Sequence, residues 1–234
     1  MIAGLQKMTL LDYPGKVACT VFLQGCNFAC PFCHNSGLLP KAGEELMSME
    51  AFFSFLDKRV GLLDAVCVSG GEPTLCAELE QLLRGIRERG FLVKLDTNGS
   101  RPKLLRQLVE EGLVNYVAMD IKNGPSFYAQ TCGLRHLDLG VIEESIRFLL
   151  SGAVPYEFRT TVVDQLHSEA SVEEMGRWLS ELAAPQKPAV LYLQSFVDRE
   201  SVAYDGLSAA GEEKMANYVD LLTPYIGNVT VRNV

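Results

Sequence analysis

No stretch of the chain approaches the roughly 18 unbroken apolar residues that a membrane-spanning helix needs. Basic charge is not in excess: 21 lysines and arginines against 29 aspartates and glutamates leave a formal charge of −8. That argues against a broad nucleic-acid or anionic-membrane surface. The densest basic stretch, Arg84 to Leu95, reads as a solvated helix end in preference to a docking patch. An export signal is missing too, because Asp12, Pro14 and Lys16 interrupt the apolar residues of the N-terminus. The cytoplasm is therefore the expected compartment, where disulfides are rare. Apolar material is plentiful at 48% hydrophobic against 21% charged, which excludes disorder. Linkers, repeats and low-complexity tracts are also absent, so residues 1–234 are expected to form a single domain.

What is present alternates. Short β-rich runs fall at 17–23, 64–69, 91–96, 115–120, 156–163 and 189–194 and predict buried parallel strands, apolar on both faces. Helical stripes lie between them: Leu75, Leu79, Leu82, Leu83 and Ile86; Ile142, Ile146, Leu149 and Leu150; Val172, Met175, Leu179 and Leu182. A last helix around 212–223 precedes the terminal run NVTVRNV, and 34–43 is the longest irregular stretch. Strand–helix alternation means right-handed βαβ units in an α/β fold with a parallel sheet. Six units are too few for a closed eight-fold barrel; an open doubly wound sheet and a partial barrel both fit. In either, chemistry collects at the C-terminal strand ends. Those ends carry Cys26, Cys30 and Cys33; Gly70, Gly71 and Glu72; Asp96, Thr97 and Asn98; Asp120 and Lys122; and Gln194 and Ser195, with Arg159 inside the fifth strand.

The strongest local signal is GCNFACPFCHN, which spaces Cys26, Cys30 and Cys33 as C-x3-C-x2-C. Three thiolates in so short a loop can wrap one metal centre. A structural zinc site wants four protein ligands, and His34 adjoins Cys33 too closely to serve easily as the fourth. An iron–sulfur cluster held by three cysteines instead keeps one iron open, whereas electron-transfer clusters normally take four. Cys19, Cys67, Cys76 and Cys132 stand apart in sequence and read as small buried hydrophobes.

With Phe32 before the last cysteine, this loop resembles the signature of the radical S-adenosylmethionine superfamily. SGGEP at 69–73 resembles that family's glycine-rich motif. Cys33-His34-Asn35, DTNG at 96–99, MDIK at 119–122 and the opening LQKMTLLDYPGK resemble the glycyl-radical-enzyme activases. Among these, the chain is most similar to the activating proteins of anaerobic ribonucleoside-triphosphate reductase. Essentially the whole chain is covered.

The resemblance implies a partial (β/α)6 TIM-like barrel without a ferredoxin-like insertion. It implies a [4Fe–4S] cluster and S-adenosylmethionine as cofactors. Reductive cleavage of the latter gives a 5′-deoxyadenosyl radical that takes hydrogen from a glycine of a partner enzyme. A flavodoxin or ferredoxin is the implied electron donor. Gly70 and Gly71 let backbone approach a ligand, and Glu72 orients that turn or caps the next helix. Phe32 stacks on adenine or packs the loop. Asn98 falls with the cofactor-binding residues. Asp120 and Lys122 bind ribose and carboxylate groups or pair on the surface. Arg159 holds the ligand or is salt-bridged. Asp96, Thr97 and Asp120 resemble a monovalent-cation site. His34 stands beside the cluster or is an ordinary loop histidine; His136 and His167 lie outside every motif.

One departure is plain. The pyruvate formate-lyase activases carry a histidine shortly after the sixth strand, and LQSFVDRE at 193–200 has none. That tilts the expectation toward the reductase type. A formate-lyase-type activase, a radical enzyme with a small-molecule substrate, an electron-transfer protein and a zinc module are the competing readings.

Overall fold

Alternation in the β-rich runs decides which side of each strand meets the helices. The computed structural model describes residues 2–36, 47–199, 201–202 and 204–232. The six expected strands form as β2 (Ala18–Leu23), β3 (Ala65–Gly70), β4 (Leu92–Thr97), β5 (Tyr116–Asp120), β6 (Tyr156–Val162) and β7 (Leu191–Ser195). Two more were not read as strands in the sequence: β1 (Ile2–Thr9) at the start, and β8 (Val229–Arg232) within the terminal run. All eight pair in chain order in one sheet. β1 runs antiparallel to β2, and every other neighbouring pair is parallel.

Helices α1 (Met49–Asp57), α2 (Leu79–Glu88), α3 (Pro102–Glu110), α4 (Pro125–Thr131), α5 (Leu139–Leu150), α6 (Glu169–Ala183) and α7 (Glu212–Leu222) cover one face of the sheet. Each expected stripe supplies that layer: Leu79, Leu82, Leu83 and Ile86 of α2, Ile142, Ile146 and Leu149 of α5, and Val172, Met175 and Leu179 of α6 are buried. Leu75 falls outside α2, in a short turn of 3-10 helix at Pro73–Leu75. Among the described residues no helix is long and apolar enough to cross a membrane. The irregular stretch expected over 34–43 lies from residue 37 onward outside the described residues.

The strands are not apolar on both faces, as the sequence suggested. Cys19, Val21 and Leu23, Val66 and Val68, Val93 and Leu95, Val117 and Met119, and Phe158 and Val162 pack into the helix-covered core. Their alternates, Thr20, Lys94, Asp96, Asp120, Glu157 and Arg159, are polar and point the other way. That other face is the inside of a curl. β2 and β7 would stand about 24 Å apart in a flat sheet, yet Cys26 just beyond β2 and Gln194 of β7 line one cavity. The result is an open, partial barrel. Tyr13, Ala18, Ala65 and Cys67, with Leu92 and Tyr116, fill part of the inside as a separate small apolar cluster.

Basic residues in the Arg84–Leu95 stretch are occupied within the fold. Arg84 pairs with Glu80 and Glu111, Arg89 with Asp57, and Arg87 donates to Phe91 O and Asn115 Oδ1. They form no free basic surface.

Candidate active site

Beyond β2 the chain turns across the mouth of the partial barrel and brings the three clustered cysteines into a cavity of about 260 Å3. Its lining gathers Cys26, Cys30, Phe32, Cys33, His34, Gly70, Gly71, Asp96, Thr97, Asn98, Asp120, Lys122 and Arg159. Glu72 alone of the expected site residues stands outside it, fully buried behind the glycines.

Local contacts fix the cysteine loop. Cys33 N donates to Cys30 O at 3.1 Å, and Phe28 N to Cys26 Sγ at 3.4 Å. Asn35 Nδ2 donates to Gly70 O at 2.9 Å, tying the loop to the glycine turn. His34, also on the lining, is held from the far side: its Nε2 meets Val197 O at 2.7 Å and its ring stacks on Phe196 at 5.6 Å. It straps the cysteine loop to the segment after β7. Burial pushes the Cys26 thiol up to about 11 and raises Cys33, so a bound metal's charge is what would hold them as thiolates. Cys30 differs, lowered to about 7 chiefly by a hydrogen bond from Cys132. Cys132, isolated in sequence, thus lies beside the cysteine loop in space. It is fully buried and outside the cavity lining.

Close backbone approach explains both glycines of SGGEP. A Cβ on Gly71 would lie 2.0 Å from Gly25 O, and one on Gly70 would lie 2.2 Å from Leu23 O. Gly71 N and Glu72 N donate to Leu23 O and Gly25 O at 2.9 and 2.7 Å. Gly71→Ala is expected to cost about 1–3 kcal/mol and to displace the cysteine loop. Thermal melting and iron content check this; an unchanged melting point with full iron would contradict it.

Glu72 performs both tasks the sequence left open. Its Oε1 accepts from Thr74 N at 3.1 Å and Thr74 Oγ1 at 2.5 Å, capping the 3-10 turn. Oε1 also accepts from Thr97 Oγ1 at 2.8 Å and Oε2 from Asn98 N at 2.6 Å, so one carboxylate clamps SGGEP to DTNG. Asn98 Nδ2 in turn reaches Asn27 Oδ1 at 2.9 Å.

A chain of five charges runs along the cavity wall. Lys94 Nζ lies 2.7 Å from Asp96 Oδ1, and Arg159 Nη1 lies 3.3 Å from Asp96 Oδ2. Arg159 Nη2 is 3.0 Å from Asp120 Oδ1, and Lys122 Nζ is 2.9 Å from Asp120 Oδ2. Lys122 and Arg159 reach the cavity while Lys94 is buried outside its lining, and with Asp12 also on the lining the three cations are matched by three carboxylates. Burial alone would raise Asp120, but Lys122 and Arg159 draw it down to about 2. An ordinary aspartate titrates near 3.9, so these pairs stabilise the fold fully above about pH 4 and lose their contribution as pH falls toward 2. Asp120→Asn is expected to show a thermal midpoint that falls less steeply than wild type over that acid window. Parallel curves would contradict the assignment.

Sequence reading missed three participants. Lys94, 1% exposed, sits in an apolar-looking strand; its period-two relation to Asp96 was the available signal. Asp12 lines the cavity and accepts from Thr20 Oγ1, bringing the N-terminal LLDYPGK segment to the site. His167, outside every sequence motif, is buried and bonded on both sides. Val163 N donates to Nδ1 at 3.1 Å, so Nε2 carries the proton and donates to Lys122 O at 3.0 Å. It holds the backbone of the lysine that reaches the cavity.

The donor set fits a cluster better than a single ion. Among the described residues no three His, Cys, Asp or Glu side chains converge to hold one metal ion. Thiolates on one zinc each sit about 2.3 Å from it, whereas a four-iron cube held at three corners spreads them wider. His34, the nominal fourth zinc ligand, is engaged by Val197. The three thiols line the same cavity as Lys122 and Arg159, which leaves room beside a fourth iron for a small ligand that carries a carboxylate. The sequence pattern of the radical SAM superfamily matches residues 20–179.

The chain belongs to the radical SAM superfamily.

This radical SAM protein accordingly uses a [4Fe–4S] cluster and S-adenosylmethionine. A Methanocaldococcus jannaschii protein assigned provisionally as a glycyl-radical enzyme activating enzyme is 31% identical to it, over 100% of this chain and 96% of its own. The pyruvate formate-lyase-activating enzyme of Clostridium pasteurianum is 32% identical over 52% of each, so the chain matches about half of that relative's length. A radical SAM methyltransferase from Sphaerobacter thermophilus shares the fold, with a TM-score of 0.74 over 97% of this chain and 68% of its own at 17% identity.

Proposed function

We propose that this radical SAM protein is a glycyl-radical-enzyme activase, with an anaerobic ribonucleotide reductase as its protein substrate. The observation that carries the activase reading is the end-to-end match to the Methanocaldococcus protein provisionally assigned as a glycyl-radical enzyme activating enzyme. The reductase as partner rests on the resemblance of the opening LQKMTLLDYPGK and on the absence of a histidine from LQSFVDRE. The match to a formate-lyase activase adds support. Residues 1–234 act in this reading as one domain working in the cytoplasm, with a flavodoxin or ferredoxin as electron donor.

Cys26, Cys30 and Cys33 hold the cluster, which when bound supplies the electron that cleaves S-adenosylmethionine to methionine and a 5′-deoxyadenosyl radical. The protein's part is orientation and exclusion of water. Gly70 and Gly71 present backbone to the amino group of the methionine portion. Lys122 and Arg159 supply the positive charge for its carboxylate, with Asp96 and Asp120 fixing both cations. Phe32, which packs with Val163 and Phe196, offers an apolar face for adenine. Asn98 orients the ligand from the DTNG turn. The expected monovalent cation at Asp96, Thr97 and Asp120 gives way in this reading to the protein's own Lys94, Lys122 and Arg159. Thr97 serves the Glu72 clamp instead.

The test is electron paramagnetic resonance of candidate partners after anaerobic incubation with the reduced, loaded protein and S-adenosylmethionine. A glycyl radical in anaerobic ribonucleotide reductase and none in pyruvate formate-lyase supports the reading. The reverse moves the protein to the formate-lyase type. S-adenosylmethionine cleavage with a radical in neither contradicts the proposed partner class.

A further inference from the structure

Cys132 is a buried thiol set against the cysteine loop, and no step of the proposed chemistry uses it. Backbone contacts on both sides fix its position. It closes α4: Cys132 N donates to Tyr128 O at 3.0 Å, and Gly133 N donates to Gln130 O at 3.0 Å. Ala29 N donates to Cys132 O at 2.9 Å, so residues 29–30 and 132–133 lie backbone against backbone. A Cβ on Gly133, whose φ is +69°, would lie 2.1 Å from Ala29 O. At that crossing the Cys132 thiol donates a hydrogen bond to Cys30 Sγ. Cys26 and Cys33 are met instead by backbone amides, those of Phe28 and Asn35.

The two thiols differ in access. Cys30 lines the cavity, whereas Cys132 is 0% exposed and outside the lining. An oxidant entering the cavity therefore meets Cys30 first, and the thiol held in contact behind it is poised to resolve the oxidised sulfur. Adjacent backbones and touching sulfurs are also what a disulfide needs to close without moving the chain. Disulfides inside cells are rare and, where they occur, are usually transient and redox-sensing.

We propose that Cys30 and Cys132 form a reversible disulfide when oxygen destroys the cluster. With the cluster bound, Cys30 is an iron ligand and Cys132 orients it. Once the iron is lost, molecular oxygen takes two electrons and two protons from the pair, giving one S–S bond and hydrogen peroxide. The disulfide withholds Cys30 from the ligand set and shields it from oxidation to the sulfinic acid, which thiols do not reverse. A dithiol reverses the disulfide by exchange, restoring both cysteines and becoming a disulfide itself. Cluster assembly is thereby made conditional on a reduced thiol pool. The inference goes beyond the activase reading and holds whichever partner is activated.

The test starts from reconstituted wild type and Cys132→Ala, each exposed to air until the visible absorbance of the cluster is gone. Remaining thiols are alkylated and linked peptides are mapped by mass spectrometry. Wild type is expected to show a Cys30–Cys132 link, which consumes two of the chain's seven cysteines and leaves five to be alkylated. Anaerobic iron and sulfide without added thiol should then fail to restore iron to wild type. Treatment with dithiothreitol, removed before reconstitution, should restore it in full. Cys132→Ala handled identically should take up iron without dithiothreitol, and its iron content before air exposure shows that the variant folds and carries the cluster. Seven free thiols in air-exposed wild type would overturn the proposal. So would a Cys30–Cys33 or Cys26–Cys30 link in place of Cys30–Cys132, or a Cys132→Ala protein that needs dithiothreitol as wild type does.

Discussion

Cys26→Ala, Cys30→Ala and Cys33→Ala are each expected to lose the cluster outright, while Cys67→Ala and Cys132→Ala keep it. All three thiols of the first group line the same cavity, and Cys67 is buried in the separate cluster inside the barrel. Cys132 is the demanding control, because its thiol hydrogen-bonds to Cys30. If Cys132 were a fourth ligand, its loss would remove iron as completely as loss of Cys30. Its burial away from the cavity argues that it only orients Cys30 and leaves one iron open. Iron and sulfide content after anaerobic reconstitution, with the cluster's visible absorbance, distinguishes these cases. Full iron in any of the first three variants, or none in Cys132→Ala, would contradict the ligand assignment.

The second large effect is expected at Glu72. Its carboxylate is fully buried and accepts from Thr74 N, Thr74 Oγ1, Thr97 Oγ1 and Asn98 N. Glu72→Ala leaves those donors without an acceptor, each buried orphan costing about 1–3 kcal/mol. Since such costs are not additive, a total loss of about 3–5 kcal/mol is expected, a large share of the roughly 5–15 kcal/mol of a whole domain. Glu72→Gln keeps the shape but gives up one acceptor oxygen and should cost about 1–3 kcal/mol. Urea unfolding of the cluster-free protein reads both values without activity entering. A Glu72→Ala midpoint equal to wild type would show that the clamp between SGGEP and DTNG carries no stability.

Legibility in the sequence followed chemistry more closely than geometry. Cysteine spacing, glycine pairs and strand-end carboxylates are local patterns, so most of the residues that line the cavity could be read directly. What joins them is long-range. The Glu72 bridge to Thr97 and the His167 support for Lys122 link residues far apart in the chain. Cys132 beside Cys30 is a further such link, and no local pattern announces any of them. The parallel strands were found by their apolar content, but that same content concealed the polar inner face. Lys94, Asp96, Glu157 and Arg159 alternate with apolar neighbours at period two, a pattern that fits a barrel interior better than a doubly covered sheet. β1 escaped because it opens the chain with lysine and glutamine among its residues, and β8 because four residues give too short a run.

The central claim is that three cysteines of a partial barrel hold a cluster that cleaves S-adenosylmethionine. The most direct measurement is anaerobic reconstitution with iron and sulfide, reduction in the presence of S-adenosylmethionine, and quantification of 5′-deoxyadenosine. The account predicts about four irons bound per chain and 5′-deoxyadenosine formed only when the cluster is present and reduced. A chain that takes up zinc but not iron, or that binds the cluster and leaves S-adenosylmethionine intact under reduction, would contradict it.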